Sequence, residues 1–227
     1  MNSFDKLSEA TGIALPPTLA QWISNRLNCY DDWQANWRER MLYSPPALIS
    51  TYDFEWVSVE SSQENIDSWL NPQRQNGMRF LPFAQSGAGD AYCLIPVSVD
   101  TLAVALIWRY DFAGTLDWLG RSFDEFVYLR MLETCADFSH LVDENFSQEE
   151  AYQCLRADLS TMIQSLPEPF SEQLRSLLSR PIMRKKVRTW DGKFTENPTL
   201  LSDQELKDEK ARIDLSGLPS LSLEHFQ

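Results

Sequence analysis

The sequence contains two pairs of neighbouring carboxylates, Asp31-Asp32 and Asp53 with Glu55, and the spacing of the second pair could support chemistry. Asp53 and Glu55 lie two residues apart in a segment, 47–59, where aromatic residues partly alternate with others. If that segment is a β-strand, both side chains point to the same side, because side chains alternate between the faces of a strand. Two carboxylates on one face could bind a metal ion or act as the acid–base pair of a glycosidase. They could equally form an acidic docking face or a solvated strand face.

Other residues that commonly act in catalysis are sparse or badly spaced. His140 and His225 are the only histidines, and none of the usual nucleophile, phosphate-binding or zinc-protease motifs occurs. Gly87-Ala88-Gly89 resembles half of a phosphate-binding loop, but no helix follows it, so it predicts a tight turn. The four cysteines are scattered without metal-ligand spacing and predict reduced, mostly buried thiols. We therefore expect no catalytic residue, no metal site and no cofactor.

The charge of the chain restricts its partners. The net charge is −13, and 20 acidic but only 9 basic residues lie up to Asn145. Such a field repels nucleic acid and attracts cationic partners, although acidity also serves solubility alone. The basic cluster Arg184-Lys185-Lys186-Val187-Arg188 is too small for a nucleic-acid surface and predicts a solvated turn or a salt-bridge partner. We expect no nucleic-acid partner.

The hydropathy of the chain predicts a cytoplasmic protein. No apolar run reaches the ~18 residues that suggest a membrane span. Residues 1–15 lack the apolar segment of a secretory signal. We therefore expect no membrane partner and a location in the cytoplasm.

Helix and strand signals in residues 1–145 predict an α+β domain. Leu15-Pro16-Pro17 begins a helix, since proline suits the first turn. A block of apolar strands runs from 80 to 108, and Pro82 within it predicts a bulge or an edge strand. After a polar loop, a capping box at residues 122–125 opens a helix. The order of elements predicts an antiparallel mixed sheet flanked by helices. The aromatic residues expected in its core are Phe83, Tyr92, Trp108 and Phe123.

Residues 146–227 have a different character. Ser147 and Glu150 form a second capping box, and the leucines that follow at helical spacing predict an amphipathic helix. Pro167 and Pro169 end that helix, and a shorter one follows. Because this segment has few aromatic residues for a core of its own, we predict a helical C-terminal extension packed on the domain 1–145.

The first part of the chain resembles the SUKH superfamily, which includes a fungal cell-wall-assembly regulator and many bacterial toxin-immunity proteins. The resemblance covers roughly residues 12–138 and rests on short motifs in a fixed order. The motifs are Leu15-Pro16-Pro17, then Leu81-Pro82-Phe83 with Gly87-Ala88-Gly89-Asp90-Ala91-Tyr92-Cys93-Leu94, then Trp108 with Asp111, and finally Ser122-Phe123-Asp124-Glu125-Phe126. It implies a SUKH-like α+β scaffold whose motif residues build a hairpin and a core.

The resemblance also implies a non-enzymatic immunity protein that binds a cognate bacterial toxin, such as a nuclease acting in the cytoplasm, and neutralises it. Acidic residues suit the basic cleft of a nuclease, and tryptophan beside charge is typical of interface hot spots. The candidate partner-binding residues are Asp31, Asp32, Trp33, Trp37, Asp53, Glu55, Asp111, Asp117 and Trp118. A regulatory scaffold that binds a cellular enzyme or signalling protein is the alternative, and we expect a monomer or a homodimer.

Overall fold

The computed structural model describes residues 3–110, 114–142, 146–221 and 223–224. Within these ranges it contains eight α-helices, one 3₁₀ helix at Ser139–Leu141 and seven strands, which confirms the predicted α+β class. No helix among these residues has the length and apolar character needed to cross a membrane. The helices are α1 (Ser3–Thr11), α2 (Pro17–Ser24), α3 (Trp33–Tyr43), α4 (Val59–Asp67), α5 (Phe123–Ala136), α6 (Gln148–Ser165), α7 (Phe170–Leu178) and α8 (Asp203–Arg212). The strands are β1 (Glu55–Trp56), β2 (Leu81–Gln85), β3 (Ala91–Pro96), β4 (Leu102–Ile107), β5 (Leu116–Gly120), β6 (Met183–Arg188) and β7 (Phe194–Thr199).

Strands β1 to β5 form one antiparallel sheet in sequence order. The start of β1, the β2–β3 turn and the β4–β5 connection therefore share one end of the sheet, and the β3–β4 turn lies at the other end. The register shifts between Pro82 and Ala84, which confirms the predicted bulge. The residues that face one another across the sheet at its first end are Glu55, Gln85, Ala91, Ile107 and Leu116.

The chain forms two compact units, each built from separated segments. The first, called the sheet unit here, comprises Met1–Asn28, Asp53–Phe126 and Asp214–Gln227. The second, called the helical unit, comprises Cys29–Tyr52 and Val127–Ile213. This partition differs from the predicted boundary at residue 145, because each unit combines segments that are far apart in sequence.

The end of the chain returns to the sheet unit. Trp118 donates from Nε1 to the carbonyl oxygen of Pro219 at 2.8 Å. Gln75 donates from Nε2 to the carbonyl oxygen of Glu224 at 3.0 Å, and the amide of Glu224 donates back to Oε1 of Gln75 at 2.9 Å. These contacts are between residues far apart in the chain, so local sequence patterns could not predict them.

The five-stranded sheet is covered on both faces. One face packs against Trp69, Leu70 and Phe80. On the other face, the ring centroid of Phe123 lies 5.4 Å from that of Trp22 and 5.5 Å from that of Phe83. Burial on both faces explains why β2, β3 and β4 are continuous apolar runs. The predicted core positions of three aromatic residues are confirmed, namely Phe83, Tyr92 and Phe123.

The helical unit contains a buried carboxylate that holds a strained turn. Asp158 on α6 is fully buried and accepts hydrogen bonds from the amides of Leu48 and Ser50 at 2.9 and 3.0 Å. The Ser50 hydroxyl donates to the same carboxylate at 2.7 Å. Leu48 has a φ of 63°, a conformation that costs a non-glycine residue about 1–2 kcal/mol. Burial raises the pKa of Asp158 to about 6 despite these hydrogen bonds.

The C-terminal segment is only partly helical. The capping box of Ser147 and Glu150 opens α6 as predicted. The basic cluster, however, forms strand β6, which pairs with β7 in an antiparallel two-stranded sheet. The prediction of a solvated turn at this cluster is therefore wrong, because charged side chains at alternate positions are compatible with an exposed strand. The alternative, a salt-bridge partner for the acidic first part of the chain, holds for Lys185, whose Nζ lies 3.6 Å from Oδ2 of Asp137.

Replacing Gly120 with alanine is expected to lower the free energy of unfolding by about 2–3 kcal/mol, since overpacking against rigid atoms cannot relax. A Cβ at this position would lie 2.6 Å from the backbone nitrogen of Phe126 and 2.8 Å from the carbonyl oxygen of Ser122. Gly77, with a φ of 81° and open space around it, provides the control, and its alanine variant should lose only about 1 kcal/mol. Urea denaturation compares the two variants. Equal losses would contradict the steric account.

Candidate functional site

One end of the five-stranded sheet gathers acidic, aromatic and basic side chains. We call it the loop edge. It includes the residues before β1, the β2–β3 turn and the described parts of the β4–β5 connection. Its polar and aromatic members are Asp53, Glu55, Asp90, Trp108, Arg109, Tyr110 and Asp117.

The β2–β3 turn is fixed by its own side chains. Gly89, with a φ of 84°, donates its amide to the carbonyl oxygen of Ser86 at 2.9 Å, which confirms the predicted tight turn. Asp90 accepts from the Ser86 hydroxyl at 2.8 Å and from the backbone amide of Arg109 at 2.9 Å. Asp90 therefore joins the turn to the residues that follow β4. This linkage makes the loop edge a preorganised surface.

Two aromatic side chains are exposed at the loop edge. Trp108 is 40% exposed and Tyr110 is 71% exposed. The indole Nε1 of Trp108 donates to Oδ2 of Asp117 at 3.2 Å, which holds the ring beside a carboxylate. The prediction that Trp108 lies in the core is wrong, because β4 ends at Ile107 and the tryptophan follows the strand out of the sheet. Neither residue is among the candidates that the sequence indicates for binding, although an aromatic residue just beyond a buried strand is a usable signal.

The structure brings together three of the predicted acidic residues. Asp53, Glu55 and Asp117 are exposed and lie at the loop edge. Asp53 is not in β1, so the argument from strand alternation does not apply to it; its Oδ1 accepts from the amide of Gly87 at 2.7 Å. Oε2 of Glu55 is 3.4 Å from Nε2 of Gln85. The fourth predicted acidic residue of this region, Asp111, lies outside the described residues.

A metal-binding arrangement does not occur at this pair of carboxylates within the described residues. No group of three or more His, Cys, Asp or Glu side chains in that part of the chain could hold a metal ion. The carboxylates of Asp53 and Glu55 instead hold a turn amide and a glutamine side chain. They provide surface charge on a fixed backbone.

Trp118 has a structural role in the sheet unit. Its side chain is half-buried against the apolar cluster around Leu70 and Phe80, and its Nε1 is bonded to Pro219. The ring is thus held by the fold of the unit. It is a poorer candidate for an interface anchor than Trp108.

The remaining predicted residues lie in the helical unit. Asp31 and Asp32 are exposed before α3, and the Arg40 guanidinium donates to the carbonyl oxygen of Asp31. Trp33 and Trp37 are half-buried, with ring centroids 5.5 Å from Tyr30 and 5.6 Å from Phe146 respectively. Asp31, Asp32, Trp33 and Trp37 thus belong to the helical unit, whereas the loop edge belongs to the sheet unit.

The helical unit also contains a cavity of about 390 Å³. The charged side chains that line it are already paired. Nη2 of Arg130 lies 2.5 Å from Oε2 of Glu133, and Nζ of Lys185 lies 3.6 Å from Oδ2 of Asp137. Burial lowers the pKa of His140, whose Nε2 donates to the carbonyl oxygen of Ser50 at 2.8 Å. These pairings leave the cavity with little charge for attracting a cationic partner. It is lined by Thr51, Tyr52, Arg130, Glu133, Thr134, Asp137, Ser139 and His140.

Replacing Asp90 with alanine is expected to lower the free energy of unfolding by about 2 kcal/mol, because the Arg109 amide and the Ser86 hydroxyl lose a shared acceptor. Asparagine, which keeps one acceptor oxygen, should lose less. Asp100, exposed in the β3–β4 turn at the other end of the sheet, is the control. Thermal unfolding of the three variants measures the effect. An Asp90→Ala variant as stable as Asp100→Ala would contradict the linking role.

Comparison with known proteins gives no match: no family model, no curated protein and no solved structure is similar to the chain by these searches.

Proposed function

We propose that the chain is an immunity protein of the SUKH type that binds a cognate bacterial toxin through the loop edge and neutralises it in the cytoplasm of the producing cell. The observation that carries the proposal is the placement of Trp108 and Tyr110 among Asp53, Glu55 and Asp117 at one end of the sheet. The ordered motifs from Leu15 to Phe126 support the family assignment.

The charge of the loop edge favours a cationic partner. The exposed carboxylates of three residues contribute negative charge, while Arg109 contributes one positive charge. The whole chain adds a field of net charge −13. A nuclease domain presents a basic cleft to phosphate, so opposite charge would accelerate its capture and orient it.

In this proposal the aromatic residues of the loop edge supply most of the binding free energy, because solvent-exposed charges at the edge of an interface contribute little. Interface hot spots are enriched in tryptophan and tyrosine surrounded by polar groups. Trp108 combines a half-exposed ring with a bonded indole nitrogen, so it loses little side-chain freedom on binding. In this proposal the tryptophan enters the toxin surface and the carboxylates pair with its basic residues. Binding at the cleft excludes the toxin's substrate.

Co-expression with the toxin encoded by the neighbouring gene tests the function. Cells that produce the toxin domain alone should stop growing, and cells that also produce this chain should grow normally. A harmless neighbouring gene product, or a toxin against which the chain gives no protection, would contradict the proposal. Recovery of a housekeeping enzyme as the stable partner, with no toxin gene adjacent, would favour the regulatory-scaffold alternative.

A further inference from the structure

The β6–β7 hairpin of the helical unit exposes large aromatic side chains. Trp190, in the turn, is 99% exposed, and Phe194 at the start of β7 is 69% exposed. A fully solvent-exposed tryptophan on a folded protein is uncommon and often marks a contact surface. The hairpin therefore exposes apolar surface that its own unit does not bury.

Three cationic residues of β6 share one face of the hairpin. Arg184, Lys186 and Arg188 alternate along the strand, and all three are exposed. Lys185, on the opposite face, pairs with Asp203 at 2.9 Å within the helical unit. Among the residues that the structure describes, neither Lys186 nor Arg188 forms an ion pair. Glu196 of β7 lies opposite Lys186 on the same face, and the Arg184 guanidinium donates to Oε1 of Gln148 at 2.7 Å. The exposed face thus keeps an excess of positive over negative charge.

The backbone of β6 offers a further means of recognition. In the described part of the chain β6 pairs only with β7, so its other edge has no partner strand. An unpaired edge accepts an extended peptide as an additional strand. Because side chains on one face of a strand repeat every second residue, about 6.6–6.8 Å apart, carboxylates at alternate positions of such a peptide would follow the same spacing as the three cations.

We propose that the β6–β7 hairpin is a docking surface for an extended acidic segment of a protein partner, with carboxylates at alternate positions. The segment would pair with the outer edge of β6, its carboxylates would meet Arg184, Lys186 and Arg188, and its apolar groups would contact Trp190 and Phe194. This surface has the opposite charge to the loop edge and takes a different partner chemistry. The inference therefore goes beyond the proposed immunity function and does not depend on it.

Nucleic acid and anionic membranes are less suitable occupants. Three cations on a chain of net charge −13 give a small local attraction within a field that repels a polyanion. An anionic lipid surface meets the same repulsion over its whole extent. A short acidic peptide spans only the hairpin, so it meets less of this repulsion, which salt screens beyond about 10 Å.

Fluorescence anisotropy with a labelled peptide of alternating glutamate and threonine tests the docking surface on the full chain. We expect saturable binding that falls at least about tenfold in Lys186→Glu and in Trp190→Ala, since Lys186 is the middle one of the three cations and Trp190 is the most exposed aromatic ring of the hairpin. Lys207→Glu, a charge reversal at an exposed lysine of α8, should bind like the unchanged chain. An isomer of the peptide with its glutamates in one block should bind at least about tenfold more weakly, because its carboxylates do not match the period of a strand.

Three results would overturn the proposal. The first is equal binding of the two peptide isomers, and the second is equal binding of the peptide by all variants. The third is tighter binding of a single-stranded RNA oligonucleotide or of phosphatidylserine vesicles than of the alternating peptide. Circular dichroism spectra of the variants should match that of the unchanged chain, since the substituted side chains are exposed.

Discussion

The Asp158→Ala variant should be less stable than the unchanged chain by about 3 kcal/mol at pH 7, since it leaves the buried amides of Leu48 and Ser50 without an acceptor. The same carboxylate also holds Leu48 at a positive φ, a strained state that persists only while its surroundings determine it. Urea denaturation followed by far-UV circular dichroism measures the loss. Asp208→Ala on the exposed face of α8 is the matched control and should be nearly neutral.

The pH dependence of stability gives this prediction a second readout. The folded-state pKa of Asp158, about 6, lies above the ordinary value of 3.8, so the folded chain binds the proton more tightly than the unfolded chain. This raised pKa contributes about 3 kcal/mol to the free energy of unfolding. The contribution is fully present below pH 3.8 and is lost as the pH rises through 6. The alanine variant should lack this contribution. A variant that keeps the same slope between these pH values, or that has unchanged stability at pH 7, would contradict the role of Asp158.

The Trp108→Ala variant should bind the toxin domain of the neighbouring gene about 100-fold more weakly, which is the effect of losing one central aromatic anchor. Its stability should change little, because the ring lies beyond the end of β4 and is partly exposed. Isothermal titration calorimetry with a catalytically inactive toxin measures the affinity. Val99→Ala in the β3–β4 turn is the control, since it removes an exposed apolar side chain at the opposite end of the same sheet. Equal loss in both variants, or no loss in either, would contradict the assignment of Trp108 as the anchor.

Local signals predicted the elements that have strong apolar patterns or caps. The proline start of α2, the strand block from β2 to β4 and the capping box of α6 were all visible in the sequence. The bulge at Pro82 followed from the missing donor of proline. These features depend on neighbouring residues only, so a single sequence is sufficient to indicate them.

Elements with weak apolar patterns were missed. β6 and β7 contain mostly charged and polar residues, which are uncommon in strands, and only their mutual pairing reveals them. α3 lies in a polar, aromatic-rich stretch without a clear apolar stripe, and its backbone leaves helical geometry at Asn36, so a local pattern does not indicate it. Contacts between distant segments, such as Trp118 with Pro219, decide the partition into two units.

The candidate site was predictable in its charge but less so in its aromatic residues. Asp53, Glu55 and Asp117 lie together at one end of the sheet because antiparallel strands return their connections to the same end. Trp108 was assigned to the core because the apolar run of β4 leads directly into it. Only the position at which the strand leaves the sheet distinguishes an anchor from a core residue. That position depends on the pairing of β4 with β5.

The central claim is that the loop edge binds the toxin, and one pair of charge reversals within the sheet unit tests it most directly. Glu55→Lys changes the loop edge, whereas Asp100→Lys makes the same change of net charge in the β3–β4 turn at the opposite end of the sheet. The measurement is the dissociation constant of each variant with the inactive toxin domain of the neighbouring gene. We predict that Glu55→Lys weakens binding about tenfold or more, because a lysine would face the basic surface of the toxin, and that Asp100→Lys leaves it nearly unchanged. Equal affinities of the two variants, or a stronger effect of Asp100→Lys, would contradict the claim.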